Sequence, residues 1–207
     1  CLMFAALLAG CSALPEPPPR AIVYDFGAGS VQAAAQSAQD AQLAPLILVD
    51  MGRSGAPEAS SALLYRLAYA NDQQLLPYTQ ARWSQPPAAL QQQALRERLA
   101  RQRIVLSGAE GAAVQPAQGG RLPSVLRVQL EEFSQVFSSP QASAGLVRLR
   151  AVLTDAGTTG ETLVAQQLFV ARRPATTADA AGGARALAEA SAEVADALAD
   201  WVRQQGR

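Results

Sequence analysis

LRVQLE at 126–131 and VRLRAVL at 147–153 decide how this chain folds. Leu126, Val128 and Leu130 fall on one side of an extended backbone, and Arg127, Gln129 and Glu131 on the other. Val147, Leu149, Ala151 and Leu153 repeat the pattern against Arg148 and Arg150. A period of two marks strands with one buried and one wet face, as antiparallel sheets have. Asp155 to Gly160 supplies a turn into a third strand, Thr162 to Arg172, with Leu168 and Val170 on one face and Phe169 on the other. Three such strands in succession make an antiparallel meander. The period then changes: Leu187, Ala190, Val194, Leu198 and Trp201 recur at steps of three and four, the stripe of a helix that packs on the meander.

Upstream the signals are shorter. Ala21-Ile22-Val23-Tyr24-Asp25-Phe26-Gly27 reads as a first strand ending at glycine, and SVQAAAQSAQDAQ at 30–42 as a loop or weak helix. Leu46-Ile47-Leu48-Val49-Asp50 is an unbroken apolar run of strand length, expected to be buried on both faces. Leu63 to Leu67 and Leu75 to Tyr78 flank Asn71-Asp72, which suggests a hairpin turning there. Pro86 and Pro87 open a helix with Ser84 as a candidate cap, and Ala88, Leu95 and Leu99 lie on one side with Leu90 near its edge. Ile104-Val105-Leu106 reads as another buried strand, and Gly108 to Pro123 as a mobile loop. Helix and mixed sheet together give an α/β layered fold. At 207 residues, 49% hydrophobic and 16% charged, the chain suits one domain with a real core.

Composition excludes more than it suggests. Seventeen basic residues balance seventeen acidic ones, so no global field draws the chain to nucleic acid. Histidine is absent, which removes Ser-His-Asp and Cys-His sites and histidine-bound metals. Every basic residue is arginine, so the lysine of a phosphate-binding loop and Schiff-base chemistry are missing as well. What remains for an enzyme is carboxylate chemistry, with Asp and Glu as acid, base or nucleophile. The expectation is a protein without catalysis and without a cofactor or bound metal.

Residues 2–10, LMFAALLAG, are too short for a bilayer span of about 20 residues and read as the core of a signal peptide. The chain begins at Cys1 with neither methionine nor a basic segment, so residues 1–10 read as a signal peptide that has lost its start. Leu8-Ala9-Gly10-Cys11 resembles the bacterial lipobox, which implies a mature protein beginning at Cys11. The thiol of Cys11 would accept a diacylglyceryl group, and at about 0.8 kcal/mol per buried methylene several acyl chains would anchor the domain firmly. Ser12 stands where an aspartate would favour inner-membrane retention, which points to the outer membrane. Pro15, Pro17, Pro18 and Pro19 make a spacer over 11–20 that rises about 3.1 Å per residue in the polyproline form. Residues 21–207 form the single domain.

A family becomes visible in Leu64-Tyr65-Arg66, Tyr78-x-x-x-Arg82-Trp83 and Pro86-Pro87, set between the lipobox and the terminal helix. The chain resembles the ABC-type transport auxiliary lipoproteins, the group containing the outer-membrane lipoprotein of the paraquat-inducible system. That resemblance implies a three-layer sandwich with a mixed sheet, anticodon-binding-like and similar to the amino-terminal domain of TolB. It also implies a periplasm-facing docking or scaffolding role beside a mammalian-cell-entry (MCE) domain protein, an ABC permease and an ATPase that move lipids. The alternative is an envelope or secretion assembly lipoprotein with a TolB-like domain and no transport partner. Two stretches, 31–42 and 108–123, depart from the family pattern. Tyr65, Tyr78 and Trp83 are candidates for an exposed partner surface, or else they fill the junction of hairpin and helix. Arg148 and Arg150 offer either a site for phospholipid headgroups or a solvated strand face.

Overall fold

A computed structural model describes residues 20–27, 43–53, 60–112, 122–157 and 160–206. The lipobox with Cys11, the spacer over 11–19, and the stretches 28–42 and 113–121 lie outside the described residues. In chain order the elements are β1 (Ile22–Tyr24), β2 (Leu46–Arg53), β3 (Ala62–Leu67), β4 (Asn71–Trp83), α1 (Pro87–Ala100), β5 (Val105–Ser107), α2 (Gly108–Ala112), β6 (Ser124–Ser139), β7 (Ala142–Gly157), β8 (Gly160–Pro174) and α3 (Ala180–Gln204). All eight strands join one mixed sheet.

The meander β6-β7-β8 is its spine, antiparallel throughout, with Val128 opposite Ala151 and Leu149 opposite Phe169. Alternation carries Leu126, Val128, Leu130, Val147, Leu149, Ala151 and Leu153 into the core. A register shift between Leu130 and Glu132 inserts one residue, so Glu131 and Glu132 both leave the core face and Phe133 returns to it. The free side of β6 is long enough to take two partners. Its first half pairs in parallel with β2, which carries β5 beyond it; its second half pairs in parallel with β3, followed by β4 and β1.

Helices α1 and α3 lie side by side on the core face. Leu187, Ala190, Val194, Leu198 and Trp201 are all buried, as the helical period requires, and Phe169 meets Trp201 edge-on at 5.7 Å. Asp179 caps α3 by accepting from the Gly182 N–H at 2.8 Å, which satisfies a donor the helix cannot pair internally. The helix then crosses the sheet very closely. A Cβ on Gly145 of β7 would stand 2.6 Å from the backbone of Ala186 and Leu187, and one on Gly183 would stand 2.0 Å from the Gln135 side chain. Two glycines, one from each element, therefore set the depth of the helix.

Several expectations change on the edges of the sheet. The 46–48 run is buried on both faces as expected, Leu46 and Leu48 in the core and Ile47 on the outer face against α2; the changes lie elsewhere. That short helix occupies 108–112, where the sequence suggested only a loop, and it covers β2 on the side opposite α1 and α3. The Ile104–Leu106 run is not a buried strand: Ile104 precedes β5 and is exposed, and β5 is half-buried, with β2 as its one partner among the described residues. The hairpin turns at 68–70, where the Ala70 N–H donates to the Leu67 carbonyl, and Asn71-Asp72 begin β4. Ser84 does not cap α1; its N–H donates to the Tyr24 carbonyl, and Pro86 takes the cap position, followed by Pro87 whose missing N–H costs nothing there.

Candidate functional site

Trp83 closes β4 and is 1% exposed, so it belongs to the core and contributes nothing to a partner surface. It packs edge-on against Phe133 at 5.4 Å and Phe26 at 5.7 Å, the geometry in which a ring edge meets a neighbour's face. Tyr65 and Tyr78 lie apart from it in a second cluster with Phe137, their own rings 4.6 Å apart. Both are half-buried. The three residues singled out as one aromatic patch thus serve two packing clusters, because β3 and β4 place them at different ends of the hairpin.

Around Tyr78 the packing becomes a polar network. Its hydroxyl donates to Gln135 Oε1 at 2.9 Å, and Gln135 Nε2 donates to Ser143 Oγ at 2.7 Å and to the Asp179 carbonyl at 3.1 Å. Gln135 is fully buried and joins β4, β6, β7 and the start of α3. Burial holds the Tyr78 phenol up at about 12, with Tyr65 and Asp179 adding to the effect, so the hydroxyl remains a donor. Phe133, Gln135 and Phe137 show what was readable: a polar residue at a core-facing register of an alternating strand requires buried partners.

The concavity nearest to a ligand site is a groove of about 390 Å³ between α1, α3 and the end of β1. Phe26, Leu90, Ala94 and Ala192 form its apolar part. Its carboxylates are already engaged: Asp196 with Arg98, Glu97 with Gln93 Nε2 at 2.9 Å, and Asp25 with the Gly27 N–H at 2.8 Å. The last contact steadies a turn in which Gly27 takes a φ of 84°. No trio of metal-ligating side chains occurs among the described residues, and no described helix is long and apolar enough to cross a membrane.

The outer face of the meander carries a set of ion pairs. Glu131 receives Arg148 at 3.1 Å and Arg150 at 2.7 Å, Glu132 receives Arg66 at 3.0 Å, and Arg127 grips Glu161 through both terminal nitrogens. The Arg127 hydrogen bonds, followed by one from Thr154, hold the Glu161 carboxyl below the ordinary glutamate value. Arg148 and Arg150 therefore belong to an exposed ionic lattice on the solvent side of the sheet.

Set beside known proteins, the chain matches no curated protein. Solved structures do share its fold. Protein XCC0632 from Xanthomonas campestris superposes with a TM-score of 0.62 at 17% identity, over 93% of this chain and 91% of that one. An uncharacterized protein superposes at 0.57 and 15% identity, over 88% and 99% of the two chains. Identities this low establish a common fold and no shared activity. The family model for the ABC-type transport auxiliary lipoprotein component matches residues 24–199, from the first strand to the last turns of α3, and the chain belongs to that family.

Proposed function

We propose that this protein is a lipid-anchored, periplasm-facing subunit of an ABC transport system that moves lipids together with an MCE-domain protein. Its part is to dock or scaffold the permease and ATPase assembly at a membrane, without catalysis of its own. The family match over 24–199 carries the reading. Leu8-Ala9-Gly10-Cys11 supports the anchor, since acyl chains on Cys11 would hold the domain at the outer membrane while the prolines after it set its distance from the headgroups. The non-catalytic role is supported by the groove between α1 and α3, whose carboxylates are committed to Arg98, Gln93 and a backbone turn.

Crosslinking and affinity recovery of the tagged lipoprotein from its own envelope tests the partner. Recovery of an MCE-domain protein with the permease is expected, and its absence from a crosslinked preparation that retains the lipoprotein would defeat the transport reading. The anchor has a separate test. Cys11→Ser should leave a folded domain free in the periplasm, because the core begins beyond the spacer; a mutant that still sediments with the outer membrane in detergent-free buffer contradicts lipidation.

A further inference from the structure

Strand β8 ends the sheet with one side unpaired among the described residues: its fifteen residues form a ladder only with β7. A strand edge presents backbone donors and acceptors that another extended chain can satisfy, and edges of this length are ordinarily blunted or covered. The outer face beside this edge is also unusual. Leu163, Leu168 and Val170 are 61%, 46% and 58% exposed, well above the rest of the meander's aliphatic residues. Register sets Val170 beside Arg148 and Leu168 beside Arg150. Arg172 follows two residues later on the same face. Arg148 and Arg150 share the single carboxylate of Glu131, and no described carboxylate pairs with Arg172. The face next to the free edge is therefore apolar with an excess of two positive charges.

We propose that β8 is a docking strand, taking an extended partner segment in which acidic and aliphatic residues alternate. The segment would lie along the free edge as a ninth strand, with its carboxylates on the outer face toward Arg148, Arg150 and Arg172, their stems over Leu168 and Val170, and its aliphatic residues on the opposite face, that of Phe169 and Ala171. Main-chain hydrogen bonds supply affinity in such additions, and the alternate side chains supply selectivity. Charge complementarity chooses the acid-bearing partner. The edge itself argues against a bilayer as the occupant, since hydrocarbon offers nothing to the unpaired N–H and C=O groups of β8, whereas a strand pairs with them. The inference rests on β8 and the arginines beside it, and holds whichever transport partner is recovered by crosslinking.

The test uses the full chain in nanodiscs of phosphatidylcholine and two short synthetic peptides, one alternating glutamate with valine and the other carrying lysine for each glutamate. The acidic peptide is expected to bind, to weaken as salt rises, and to slow amide exchange over 165–173. Its binding to the variant Leu168→Thr/Val170→Thr/Arg172→Glu should fall roughly tenfold or more. All three positions lie on the outer face, and the comparison of the two peptides on the unaltered chain needs no variant. Equal binding of both peptides, or binding without protection of β8, overturns the proposal. So does protection of β8 on exchanging phosphatidylcholine for phosphatidylglycerol without peptide, which would assign the face to anionic lipid. Concentration-dependent self-association abolished by the same variant would assign the edge to a second copy, and would equally defeat it.

Discussion

The two halves of this sheet are built by different rules. β7 pairs with β6 and β8 with β7, each strand separated from the one before it by only two residues, and α3 covers them directly. In the first half only the β3–β4 hairpin is built that way: β2, β3 and β1 join the rest through parallel ladders with β6 or β4, across long separations in sequence. Local pairing restricts little chain entropy before contacts form, whereas parallel pairing must close long loops first. The meander's ladders are thus local in sequence, while most of the first half is joined to the open side of β6 across longer loops.

Trp83 is where this division can be broken most severely, since it joins β4 to Phe133 of β6. Trp83→Ala should cost about 3–5 kcal/mol, read from denaturant midpoints, as truncations of buried large aromatics do. Amides of β1, β3 and β4 should then exchange faster than those of β7; uniform acceleration would show that the halves are one cooperative unit.

Closer to the meander, Gly145→Ala places a methyl against the backbone of α3 and should cost roughly 1–3 kcal/mol. A neutral result by thermal melting would mean that the helix can ride higher on the sheet. Tyr78→Phe removes the donor to Gln135 and leaves a buried acceptor unsatisfied, at about 1–3 kcal/mol. The phenol is raised to about 12, so its contribution is complete below the unfolded value near 10 and is lost as pH rises through 12. The wild type should lose stability on that alkaline limb more steeply than the variant.

Smallest of these, Asp179→Ala should cost about 1 kcal/mol by uncapping α3. The Gly182 N–H, and then the Thr177 hydroxyl, hold this carboxyl below the ordinary 3.8. Its contribution is therefore present above that value and disappears as pH falls through the lower folded one. An acid melting profile identical in variant and wild type would show that the cap contributes nothing.

Legibility in the sequence follows the same division. Val147 to Leu153 revealed its strand because each side chain faces either core or water, and Leu187 to Trp201 revealed a helix for the same reason. The edges were less legible: Val105 and Leu106 are apolar yet only half-buried, β5 having one neighbour among the described residues, and nothing local announces the number of neighbours a strand will have. Tyr65, Tyr78 and Trp83 illustrate a related limit, since an aromatic at an interface and one in a core have the same composition. Gln135, Gly145 and Gly183 carry a three-element junction that only tertiary contact makes visible.

The central proposal is that this lipoprotein docks other proteins through the meander's open edge. Photocrosslinkers placed one at a time at Val170, on that edge, and at Glu97, on the rim of the α1–α3 groove, test it in the intact envelope. The account predicts that Val170 captures a component of an ABC transport complex and that Glu97 does not. Capture at Glu97 alone, or at neither position, would contradict it.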